Sequence, residues 1–152
     1  MISMRFTPLF LLALAAGCSK EPPPSPDEAA QKQMIWDMLK AYHEAGDKGD
    51  VAKMVEVLSP QVSLVRGHED VCRGVEEVEK ELAARVDSYK KQSRSTLLGK
   101  EHITVMGDTA LVTYVASVGT QRGIVTAACR KTGGKWTLVH IHDSWSPPAP
   151  PK

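Results

Sequence analysis

His140 and His142 sit one residue apart in the stretch Trp136-Thr-Leu-Val-His-Ile-His-Asp-Ser-Trp145, which also holds two of the three tryptophans. In an extended strand, residues two apart share a face. Strict alternation therefore puts Trp136, Leu138, His140, His142 and Ser144 on one side, with Thr137, Val139, Ile141, Asp143 and Trp145 on the other. Imidazoles titrate near neutral pH and can take a proton, give one, or ligate a metal. A metal needs a third converging ligand. His43, His68 and His102 are scattered and no carboxylate is placed by spacing, so neither metal nor cofactor is expected. His142-Asp143-Ser144 does not make a catalytic triad, because strand neighbours point to opposite faces and a triad is defined by geometry. Leu138 and Trp136 are apolar company that suits an interior surface. The pair is therefore expected to look into a cavity, with Tyr114 and Trp36 near its rim. The other reading is two core histidines held by hydrogen bonds.

The elements that must position these side chains follow from periodicity. Ser25-Pro26-Asp27-Glu28 reads as a helix start, with a capping serine, a proline at the first helical position and a capping-box glutamate. Met34, Ile35, Met38, Leu39 and Tyr42 follow at helical spacing, Trp36 lies off that stripe, and Gly46 is expected to end the helix. Asp50 can cap a short second helix containing Val51, Met54, Val55 and Leu58, stopped by Ser59-Pro60. Val62–Arg66 and Val71–Arg73 read as short extended pieces, and a third helix runs from Gly74 to about Lys90. Its glutamates Glu76, Glu77, Glu79 and Glu81 suit a solvated face near the positive end of the helix dipole. From Thr96 the period becomes two. Thr96–Met106, Ala110–Gly119, Ile124–Lys131 and Trp136–Trp145 are strands joined by connectors short enough to force antiparallel neighbours. Helices first and an antiparallel sheet last is an α+β pattern. Leu111 and Val115 on one strand face, and Val112, Tyr114 and Val118 on the other, imply that both faces of the sheet are buried, the outer one in a homodimer.

The chain has 152 residues, enough for one domain with a real core. Lys and Arg number 19 and Asp and Glu 18, a balance that gives no reason to expect nucleic acid. Residues 1–17 hold a single charge, Arg5, and an apolar run from Pro8 to Ala16 that is too short to span a bilayer and fits a secretion signal. Leu14-Ala-Ala-Gly-Cys18 resembles the lipobox of bacterial lipoproteins. That resemblance implies cleavage before Cys18 and acylation of its thiol, and Ser19 then implies sorting to the outer membrane, facing the periplasm. Residues 18–27, with Pro22-Pro23-Pro24, read as a tether, residues 28–146 as the domain, and 147–152 as a proline-rich tail. Cys72 and Cys129 remain as an even pair in an oxidising compartment, either bonded or free and buried.

Gly49-Asp50-Val-Ala before a short helix, Arg73-Gly74 opening the third helix, Gly107-Asp108-Thr-Ala110 at a hairpin, and Trp136-x-x-Val-His140-x-His142-x-Ser144 together resemble the SnoaL-like, nuclear-transport-factor-two-like superfamily. The resemblance covers about residues 28 to 146 and implies a cystatin-like cone, a curved antiparallel sheet wrapped on a long N-terminal helix, with a pocket at the open end and frequent homodimers. Enzymes of that superfamily use a pocket carboxylate as base and a tyrosine or acid as donor, and no aspartate here matches that carboxylate by position. The reading is thus an exported lipoprotein whose domain binds a small, partly apolar ligand or a protein without catalysis. The alternative is a cofactor-independent isomerase, cyclase or lyase with His140 or His142 as acid/base. A third class is a purely structural dimer with a filled cone.

Overall fold

The computed structural model describes residues 26–67, 71–91, 95–118 and 120–146. The expected signal peptide, the Cys18 anchor, the capping Ser25, His68 and the tail from Pro147 lie outside the described residues. Helix α1 spans Pro26–Lys48, so the last two residues assigned to the tether, Pro26 and Asp27, are helical. Ile35, Leu39 and Tyr42 form its buried stripe, and Met34 is exposed. Gly46 does not end the helix. It is buried inside it, where a Cβ would press on the Met54 side chain. The stop is Gly49 at φ 70°, a left-handed position that costs glycine little. Its N–H donates to the Gly46 carbonyl and that of Asp50 to the Ala45 carbonyl, the paired bonds of a Schellman cap.

Asp50 caps α2 (Val51–Val55), its carboxylate accepting from the Lys53 N–H at 3.2 Å. Leu58, Ser59 and Pro60 do not continue that helix but begin β1 (Leu58–Arg66). The Val57 carbonyl accepts from the Leu138 N–H, which draws the chain into the sheet early. Proline is tolerated there because the β1 register is interrupted between Leu58 and Ser63. Strand β2 (Cys72–Arg73) and α3 (Val75–Lys91) follow, with Val78, Leu82 and Val86 turned inward. Strands β3 (Thr96–Met106), β4 (Thr109–Val118), β5 (Gln121–Thr132) and β6 (Lys135–Trp145) are the meander read from the sequence.

The six strands form one unclosed sheet in the order β2-β1-β6-β5-β4-β3, with β1 running parallel to β6 and the other pairs antiparallel. The α+β cone is thus present, with more sheet than the meander alone. Its inner face carries Ala110, Val112, Tyr114 and Ala116 from β4 and Val125, Ala127 and Cys129 from β5, packed against Ile35, Leu39 and Tyr42 of α1. Its outer face holds Leu111, 46% exposed, and Ile124, 59% exposed.

Cys72 and Cys129 are both free thiols. Cys72 pairs with Leu64 on β1, and β6 separates β1 from β5, where Cys129 lies. Three strand spacings put the two roughly 14 Å apart, whereas a disulfide needs Cα atoms within about 7 Å. The bond is excluded by register.

Candidate functional site at the open end of the cone

The period of β6 slips once. Ala128 pairs with His140, but its neighbour Cys129 pairs with Leu138, so Val139 is an extra residue opposite a continuous partner strand. This is a β-bulge. Before it, the buried residues are Trp136 and Leu138; after it, they are Ile141 and Asp143. The slip exchanges the faces beyond Val139. His140 and His142 therefore stand on the outer face, not in the cone. His140 Nδ1 and the Ser63 hydroxyl, register partners across β6 and β1, share a hydrogen bond of 2.8 Å. His142 is exposed between Thr126 and Val65. The expectation that these two histidines look into a cavity is corrected, and Asp143, expected to face away, takes that place.

The cavity has a volume of about 380 Å³ and opens where the C-terminal end of α1 meets the ends of β1, β4 and β6 and the start of β5. That volume lies within the range of about 300–1,000 Å³ common for small-molecule sites. Polar lining comes from Tyr42, His43, Asp47, Arg66, Arg85, Tyr114, Gln121 and Asp143; Val125, Ile141, Met54 and Trp145 supply apolar surface. Asp143 is 8% exposed. Its Oδ2 lies 3.5 Å from Arg66 Nε, the opposite charge that a buried carboxylate requires. Its Oδ1 is buried and has no hydrogen-bond partner among the described residues.

Across the cavity, Tyr114 Oη lies 2.7 Å from His43 Nε2, and Trp36 meets the Tyr114 ring edge-on at 5.5 Å. Burial pushes the Tyr114 phenol well above its usual range, and the neighbouring acidic groups of Tyr42, Asp143 and Cys129 oppose its ionisation further. The phenol is therefore protonated at physiological pH, and the arrangement that suits it has Oη donating to Nε2. Asp47 accepts from the Thr96 N–H at 2.6 Å and from its hydroxyl at 2.7 Å, pinning the end of α1 to the start of β3 at the mouth. Arg85 is paired with Glu81 one helical turn away. Gly123 and Trp145 are cross-strand partners, and a Cβ on Gly123 would lie 2.7 Å from the indole. The missing side chain is what lets Trp145 lie against β5 and line the cavity.

Of the residues expected at the site, Tyr114 lines the cavity, Trp36 sits behind it, and His140 and His142 are on the other side of the sheet. Asp143, His43 and Arg66 were missed. The signal for Asp143 was present: apolar residues run Trp136, Leu138, then Val139, Ile141, Trp145, and the adjacent pair Leu138-Val139 is where the alternation changes phase. Among the described residues no three metal-ligating side chains converge, and no helix is long and apolar enough to cross a membrane.

A small domain with a curved sheet folded over one long helix and a polar-rimmed cavity at its open end is an α+β cone. The SnoaL-like domain matches over residues 35–150, and the chain belongs to that family. A protein of unknown function with a cystatin-like fold from Nostoc punctiforme superposes with a TM-score of 0.72 at 20% identity, covering 80% of this chain and 96% of that one. A nuclear-transport-factor-two-like protein of unknown function from Pseudomonas putida gives a TM-score of 0.70 at 15% identity, covering 76% and 87%. A candidate dehydratase of the nuclear-transport-factor-two-like family from Streptomyces avermitilis gives 0.68 at 24% identity, covering 79% and 97%. At these identities the likeness speaks for the fold alone. No curated protein matches the chain.

Proposed function

We propose that this is an exported, lipid-anchored protein whose SnoaL-like domain binds a small, partly apolar ligand at the open end of its cone. The observation that carries the reading is the cavity of about 380 Å³, with buried polar groups on its walls and apolar residues beside them. A purely structural cone would fill that space with side chains. Anchoring at the outer membrane, facing the periplasm, is supported by the lipobox resemblance around Cys18; replacing Cys18 with serine should release the domain from the membrane fraction. Ligand binding is tested by filling the cavity. Val125, buried in its wall, is replaced by phenylalanine, and retention of small molecules by wild type and variant is compared. Loss of binding in a variant that still folds supports the reading; unchanged binding contradicts it.

A second reading is acid–base catalysis without a cofactor, and Asp143 favours it. A carboxylate in the cavity, with the Tyr114–His43 pair lining the same space, is the pairing of base and hydrogen-bond donor that proton transfer at carbon or oxygen requires. One structural neighbour is itself named a candidate dehydratase. In this reading Asp143 is the base and neither His140 nor His142 takes part. Burial of the outer face in a homodimer belongs to the same proposal, supported by the exposure of Leu111 and Ile124 there.

A further inference from the structure

We infer that the cavity selects an uncharged ligand that presents a hydroxyl or N–H donor to Asp143 Oδ1 from an apolar ring, and that it turns carboxylates away. The inference rests on the reading of the cavity as a binding site and names the ligand class.

Two arginines line the cavity, which at first suggests an anionic ligand. The pairing of charges argues otherwise. Arg66 has Asp143 beside it, and Arg85 has Glu81. A ligand carboxylate reaching Arg66 would stand against the buried Asp143 carboxylate, and like charges repel. One buried cavity atom that has no hydrogen-bond partner among the described residues is a carboxylate acceptor. Asp143 Oδ1 is buried, and no described group donates to it. Leaving a charged acceptor unsatisfied is costly, so a ligand donor gains there more than an ordinary hydrogen bond supplies. Tyr114 does not fill the role, since its hydroxyl is engaged with His43.

The apolar part of the ligand is set by what lies near Asp143. Ile141 precedes it by two residues on the same inward face, and Val125 is its cross-strand partner. Trp145 follows by two residues, flat against Gly123. Three apolar side chains around one acceptor make a slot for a ring with a donor on its edge.

The test uses the mature chain, residues 18–152, made with Cys18→Ser so that it carries no lipid, and three probes of one shape: 4-ethylphenol, 4-ethylanisole and 4-ethylbenzoate. Binding is measured by nuclear magnetic resonance titration at pH 7, where the phenol is neutral. The phenol is expected to bind about tenfold more tightly than the anisole, the difference one hydrogen bond to a charged group makes. The benzoate is expected to bind more weakly still. Asp143→Asn should weaken the preference for the phenol, since a neutral amide oxygen is a poorer acceptor than a carboxylate, and improve the benzoate, because the like charge at position 143 is gone. Should that variant not fold, the wild-type ratios decide alone. Equal binding of phenol and anisole overturns the inference and leaves the binding site standing, as does tightest binding of the benzoate. Failure of all three to bind overturns the site itself.

Discussion

Single side chains separate the two faces of this sheet by what their loss would do. His140 makes one cross-strand hydrogen bond to Ser63 on the outer face. His140→Ala should cost about 1 kcal/mol of stability, the worth of a typical neutral hydrogen bond, and leave ligand binding unchanged. Thermal melts together with a binding titration check both halves; a loss of binding with little change in stability would return the histidine to the site. The thiols give a second residue-scale expectation. Denatured, unreduced protein should show Cys72 and Cys129 both reactive to a thiol label, because register keeps them apart. A third concerns alkaline pH. Burial pushes the Cys129 thiol up to about 12 from 9.0. The unfolded chain therefore releases this proton at lower pH than the fold does. The stability the neutral thiol contributes is complete below pH 9 and falls as pH rises towards 12, by about 1.4 kcal/mol per pH unit in that window. Denaturant melts from pH 8 to pH 11 should show that decline flatten in Cys129→Ala.

Elements were legible where a local signal marks them. The four meander strands could be drawn from Thr96 onwards because Gly107-Asp108 and Gly133-Gly134 punctuate regular alternation. The first and third helices were legible from their stripes. The sequence misled where tertiary contact overrides the local signal. Leu58-Ser-Pro60 looks like a helix end, yet pairing with Leu138 makes it strand. Gly46 looks like a helix stop, yet it is small to admit Met54, and Gly49 does the stopping. Most consequential is Val139. Alternation assigns faces only while the period is unbroken, so one extra residue carried two histidines out of the cone and brought one aspartate in. Deleting Val139 should therefore be tolerated, since it removes the extra residue and keeps Ile141 and Asp143 inside. Deleting Ile141 should unfold the domain, because every later side chain in β6 changes face. Circular dichroism melts of the two deletions compare them; equal damage would contradict the bulge.

At the scale of the whole molecule, the parallel pairing of β1 with β6 brings Arg66 alongside Asp143 from a distant part of the chain. No local pattern in the sequence announces that contact, which is why the fold could be read further than the site. The outer face makes its own prediction. Leu111→Asp with Ile124→Asp should keep the fold and convert a dimer to a monomer in sedimentation at micromolar concentration. A monomeric wild type would remove the dimer from the account. Native mass spectrometry of the protein purified from the cells that make it reads directly whether the cavity holds a ligand. The expected result is a lipid-bearing chain that holds a small neutral molecule in wild type and loses it in Val125→Phe. A wild-type chain that carries no such mass, or a mass retained equally by the filled variant, would contradict it.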